Sequence, residues 1–205
     1  MLSYQTVEPH TLELLRSIMA RPMFNDMRLV GGTALALQYA HRKSVDLDFF
    51  GGMPNDADEM AEELSGIGSL QIVKSSARIR IYYIDKIKVD FVDYSRYPWI
   101  DEPVIDDGLR IASPQDIAAM KVNAIEGRGT RKDFVDIYFL LQHFTLPQIV
   151  GFYKQKYPEY SEFRALMSLT YFDDAEEQMM PNMLKGVDWE RMKAKIIEAV
   201  DAYDG

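Results

Sequence analysis

Apolar positions recur along this chain with two periods, and the change from one to the other divides it. Leu12, Leu15 and Met19 fall at helical spacing and predict an amphipathic helix over residues 11–19 that covers a sheet. The short stretch from Arg28 to Val30 reads as a strand; Gly31-Gly32 then turns into a helix over 33–40. Residues 45–50 alternate, which puts Val45, Leu47 and Phe49 on one face of a strand and Asp46 and Asp48 together on the other. Asn55 or Asp56 caps a helix that runs to Leu64 and stops at Gly66 and Gly68. Three strand-like runs follow at 70–73, 77–84 and 86–94 and predict an antiparallel meander. In the last of them Ile87, Val89 and Phe91 share a face, leaving Lys88, Asp90 and Val92 opposite.

Residues 94–108, with Pro98, Pro103 and several acids, read as irregular and mark the boundary between a unit at 1–108 and a helical unit at 109–205. Ser113-Pro114-Gln115-Asp116 supplies a cap, a proline at the first helical position and an acid three residues after the cap, so a helix starts there and runs to Glu126. Further helical patterns occupy 131–144, a segment from Leu146-Pro147 to 157, 161–169 and 188–203. The fold class is α+β: a small mixed sheet flanked by helices, then a helical C-terminal part.

Composition narrows the function. With 205 residues, 47% hydrophobic and 27% charged, the chain can bury an ordinary globular core. No run is apolar and long enough for a membrane span and the first residues lack a signal peptide's pattern, so a cytoplasmic protein is expected. The absence of cysteine removes disulfides, thiolate nucleophiles and sulfur-bound zinc. A net charge of −9 argues against general nucleic-acid coating but leaves room for local basic groups such as Arg42 with Lys43, or Lys121, Arg128, Arg131 and Lys132.

The candidate chemistry lies between residues 29 and 50. A glycine pair where a strand turns into a helix lets backbone approach a ligand, and the helix start offers unpaired N–H groups to an anion. Asp46 and Asp48 on one strand face repel each other unless a cation lies between them. Asp90, inside an apolar strand, is costly to bury without a partner and is the natural third carboxylate. Taken singly, each motif has an ordinary structural explanation; together they contain the parts that two-metal phosphoryl chemistry needs. Lys121 lies beside an apolar helical stripe of Ile117, Met120 and Ala124, which favours an ammonium reaching inward. Asp133 and Asp136 are three apart on the next helix and can pair with neighbouring bases, while His10, His41 and His143 show no metal or nucleophile spacing.

Gly31-Gly32-Thr33 and Arg42-Lys43-Ser44-Val45-Asp46-Leu47-Asp48 resemble the signature of the DNA polymerase β-like nucleotidyltransferase superfamily. With the stretch from Lys121 to Ala124, Arg128, and Lys132-Asp133-Phe134-Val135-Asp136, the pattern resembles the AbiEii/AbiGii toxin family. That resemblance implies that Asp46 and Asp48 hold two Mg²⁺ (or Mn²⁺) ions. Asp90 shares one of them and activates the acceptor hydroxyl. Gly31, Gly32, Thr33, Arg42, Ser44, Lys121 and Arg128 bind the NTP, and Asp133 is the required late acid. It also implies transfer of an NMP to a hydroxyl, with RNA such as tRNA as acceptor, and the toxin role in a type IV toxin-antitoxin pair with a cognate antitoxin. Two alternatives stay open: a protein side chain as acceptor, or a nucleotide- and metal-binding module without turnover.

Overall fold

The computed structural model describes residues 2–204. Its sheet is built from β1 (Met27–Val30), β2 (Leu47–Gly51), β3 (Leu70–Ser75), β4 (Ile79–Ile84), β5 (Ile87–Asp93), β6 (Val104–Asp106) and β7 (Leu109–Ile111). The seven strands are ordered β3-β4-β5-β2-β1-β7-β6, which makes β2 the middle strand. It pairs antiparallel with β1 and parallel with β5, so the sheet is mixed. The expected meander is present as β3-β4-β5, antiparallel throughout.

Helix α1 (Pro9–Met19) precedes the strands, and α2 (Gly31–Tyr39) and α3 (Ala57–Ser65) lie among them; α4 (Pro114–Gly127), α5 (Arg131–Leu140), α6 (Leu146–Lys156), α7 (Glu162–Leu169), the short α8 (Asp173–Glu176) and α9 (Trp189–Asp201) follow. On α1 the buried stripe is Leu14, Leu15, Ile18 and Met19, shifted slightly from the predicted one. Phe49 of β2, Phe91 of β5 and Phe24 stack with ring centroids 5.1 and 5.2 Å apart, at the heart of an apolar core that continues into the later helices.

Several sequence expectations change. The stretch from 94 to 108 is not wholly irregular, because β6 and β7 form a hairpin and β7 pairs in parallel with β1. The boundary expected at 108 falls in the turn of that hairpin, and the sheet extends to Ile111. Strands of three residues give too short an alternation to read. Strand β2 begins at Leu47, leaving Val45 59% exposed instead of facing the core. Helix α5 ends at Leu140, four residues early, and α2 starts directly at Gly31.

The start of α4 matches its signal: Ser113 Oγ accepts from the Asp116 N–H at 3.0 Å. Asp116 is itself buried and takes the Lys156 ammonium at 2.6 Å and the Ile100 N–H at 2.9 Å. One carboxylate thus ties the linker after β5 to α4 and α6, which fixes α4 over the sheet. Among the described residues no helix is long and apolar enough to cross a membrane.

Candidate active site

Alternation along two neighbouring strands builds the floor of the site. In the parallel register of β2 and β5, Asp48 is opposite Asp90 and Phe50 opposite Val92. These side chains share one sheet face. Above them lies α4, contributing Ile117, Met120, Lys121, Asn123, Ala124, Gly127 and Arg128 to a cavity of about 380 Å³. Gly31 and Val30 close one side, and Tyr94, Tyr97 and Tyr157 the other end.

Each glycine of the pair has a distinct physical reason. Gly31 has φ +70°, and a Cβ there would sit 2.5 Å from Asp48 Oδ2. At Gly32 a Cβ would sit 2.0 Å from Arg42 Nη2. The residues are glycine because a carboxylate and a guanidinium press against the backbone at the helix start. No side chain caps α2, so its first N–H groups keep the donor capacity expected of an anion seat.

The electrostatics divide the acids into two groups. Burial, together with the Asp90 and Asp46 charges, pushes the Asp48 carboxyl up to about 6. Asp90 receives the Lys88 ammonium on Oδ2, while its Oδ1 is buried without a partner. Asp46, just before β2, lies 3.7 Å from the Lys132 ammonium. Among the described residues no three acids or histidines already stand as a cation cage. Nonetheless, the donor set fits a divalent cation. It is all carboxylate oxygen, one oxygen is unsatisfied, and ammonium groups lie against Asp90 and Asp46.

Adjoining this floor is a second charge network, buried except at Arg128. Asp136 accepts from Arg42 through Nε at 2.8 Å and Nη2 at 3.0 Å, and its carboxylate lies 2.6 Å from the Lys121 ammonium. Lys121 also donates to Asp133 at 2.9 Å, and Arg128 Nε reaches Asp133 at 3.3 Å. Burial pushes the Asp136 carboxyl up, but Arg42 and Lys121 outweigh it and hold it well below the ordinary carboxylate range. Asp133 is lowered against its burial by Lys121 and Arg128. The Lys121 ammonium is held above its usual value despite burial, through Asp136 and then Asp133. His41, 2.8 Å from Asp136, is lowered by burial.

Of the residues singled out from sequence, Gly31, Asp48, Asp90, Lys121 and Arg128 line the cavity. Thr33 is buried; its hydroxyl donates to the Asp46 carbonyl and pairs with Ser44 Oγ at 2.8 Å, so these two fix the loop that carries Asp46. Arg42 and Asp133 are buried in the charge network behind the wall. Asp136 and His41 are the residues whose place sequence reasoning missed. An invisible long-range pairing between the loop before β2 and α5 brings them together.

A mixed sheet carrying paired aspartates beside a glycine turn, with a lysine-bearing helix as roof, is an arrangement suited to nucleotidyl transfer. The chain belongs to the family described as nucleotidyl transferase AbiEii toxin, type IV toxin-antitoxin system, which it matches over residues 13–204. It is 35% identical over 173 residues to an uncharacterized protein of Aquifex aeolicus, covering 82% of this chain and 84% of that one. In fold it is similar to MenT4, a nucleotidyltransferase toxin of Mycobacterium tuberculosis, with TM-score 0.63, 14% identity and coverage of 95% and 83% of the two chains. A putative nucleotidyltransferase of H. pylori matches with TM-score 0.55, 20% identity and coverage of 95% and 94%.

Proposed function

We propose that this enzyme moves the nucleoside monophosphate of an NTP onto an acceptor hydroxyl of an RNA such as tRNA. The observation that carries the reading is the side-by-side placing of Asp48 and Asp90 beneath α4 and beside the uncapped helix start at Gly31. A bond forms between the acceptor oxygen and the α-phosphorus; the bond from that phosphorus to the bridging oxygen breaks, and pyrophosphate leaves. Mg²⁺ or Mn²⁺ held by Asp46, Asp48 and Asp90 would neutralise charge on the phosphates during this exchange.

The chain's own groups do the positioning. Gly31 and Gly32 N–H groups at the start of α2 receive the terminal phosphates, and the unpartnered Asp90 Oδ1 accepts the acceptor's proton. Asp133 and Asp136 act as positioning residues, holding the Lys121 ammonium at the cavity roof. Arg128, 61% exposed, is placed to meet phosphate arriving from solvent. Acting on RNA in this way accords with the toxin half of a type IV pair, restrained by a cognate antitoxin.

The test is incubation with α-labelled NTPs, Mg²⁺ and total RNA. Label enters RNA with the wild type and not with Asp48→Ala. Transfer that persists in Asp48→Ala overturns the assignment, and label in protein instead of RNA replaces the acceptor.

A further inference from the structure

The cavity has two chemically different ends, and the order of residues along its floor is fixed by strand register. Asp48 and Asp90 lead to Phe50 and Val92, and β5 continues to Tyr94. At about 3.3 Å per residue, Phe50 lies about 7 Å beyond Asp48 and Tyr94 about 13 Å beyond Asp90. Phe50 and Tyr94 are in ring contact at 5.2 Å, Tyr94 and Tyr97 at 4.9 Å, and Tyr97 meets Tyr157 edge to face at 5.1 Å. Ile117 and Met120 cover them from α4. None of these lining side chains is charged, and the buried Lys156 ammonium 5.1 Å from the Tyr94 ring centroid is paired with Asp116.

The hydroxyls of Tyr94 and Tyr157 are bonded to each other, so they cannot read a ligand. Asn123 differs. It stands one turn beyond Met120 on the roof, half-buried and lining the cavity, and its amide makes no hydrogen bond to any described residue. An amide offers a donor and an acceptor side by side, the pair that matches a nucleobase edge.

Resting on the reading of the site as a nucleotidyltransferase, we propose that Phe50, Tyr94, Tyr97 and Met120 seat the base of the incoming nucleotide and that Asn123 reads its edge. A nucleotide is linear in its chemistry, with phosphates, then sugar, then base. Its terminal phosphates at Gly31 and its α-phosphate at Asp48 leave the base to fall over Phe50 and Val92, one sugar beyond the acids. Rings bind there by burial and stacking, which any base can use. Discrimination among bases then falls to Asn123, the polar group of that end without a partner.

The experiment is titration calorimetry with Mg²⁺ and, separately, ATP, GTP, CTP, UTP and inorganic tripolyphosphate, for the wild type, Asn123→Ala and Tyr97→Leu. At least one NTP should bind more tightly than tripolyphosphate. Asn123→Ala should narrow the spread among the four NTPs by about fivefold or more while leaving tripolyphosphate unchanged. Tyr97→Leu should weaken all four alike. If the NTPs bind no better than tripolyphosphate and neither variant alters this, the base seat is wrong and the transferase reading stands. If Tyr97→Leu instead raises KM for acceptor RNA alone, the aromatic end belongs to the acceptor and the proposal falls. If neither NTP nor tripolyphosphate binds, both readings fall together.

Discussion

Asp48 and Asp90 face each other across the parallel pair β2 and β5, and burial first, then the neighbouring Asp90 charge, pushes the Asp48 carboxyl up to about 6. An acid whose pKa is higher folded than unfolded is least stabilising when ionised. Its contribution therefore falls as pH rises from about 4 to about 6, because the folded form binds the extra proton in that window. Asp48→Asn should then raise stability at neutral pH by about 1–2 kcal/mol and Tm by about 2–6 °C, while abolishing transfer. Thermal melts of both proteins at pH 4.5 and pH 7.5 test this; the gap should be larger at the higher pH, and an equal gap would show that ionising Asp48 carries no such cost.

The opposite sign holds for the network behind the site. Asp136 is held well below the ordinary carboxylate range, so its stabilisation is complete above about pH 4 and is lost as pH falls through its folded pKa. His41 is lowered by burial, so stability also declines as pH falls below about 6.5, where the unfolded chain takes up a proton first. Asp136→Asn leaves Arg42 without its carboxylate and Lys121 with Asp133 alone, a loss of about 3 kcal/mol or more. Urea titrations from about pH 2 to 8 should show a steep acid limb below about pH 4 in the wild type and a flattened one in the variant.

Gly31→Ala would place a methyl against Asp48 Oδ2 at 2.5 Å, at a φ of +70°. Strain and displacement together should destabilise by about 1–2 kcal/mol and lower kcat about a hundredfold or more, because the carboxylate moves off its partner acid. At Gly32 the obstacle is the Arg42 guanidinium at 2.0 Å, so Gly32→Ala should be the less stable of the two. Circular dichroism melts beside single-turnover rates separate the two effects.

What sequence made legible follows local rules. Strand β2 with Asp48 on the face opposite Leu47 and Phe49, the uncapped helix at Gly31 and the start of α4 at Ser113 each depend on neighbours a few residues away. The β6-β7 hairpin escaped because three-residue strands carry no usable period. His41 and Asp136 escaped because 95 residues separate two groups whose meaning lies in their 2.8 Å contact. Thr33 and Arg42 illustrate a subtler limit: motif residues can serve a site by fixing its walls, which spacing alone cannot separate from touching the ligand.

Lys88 bears on how the acids are kept before a cation arrives. Its ammonium donates to Asp90 Oδ2 and is held above its usual value, burial being outweighed by the Asp90 bond. The side chain is 36% exposed, so it can leave without unfolding anything. A divalent cation at Asp90 must displace that ammonium or share the carboxylate with it, and a half-exposed ion pair is worth about 1 kcal/mol. Lys88→Met should therefore bind Mn²⁺ about fivefold more tightly in the absence of nucleotide, as read by electron paramagnetic resonance titration, and should reach half-maximal transfer at lower Mg²⁺. Weaker Mn²⁺ binding in the variant would mean that Lys88 orients Asp90 for the cation instead of competing with it. The acids would then need an internal base to hold their geometry.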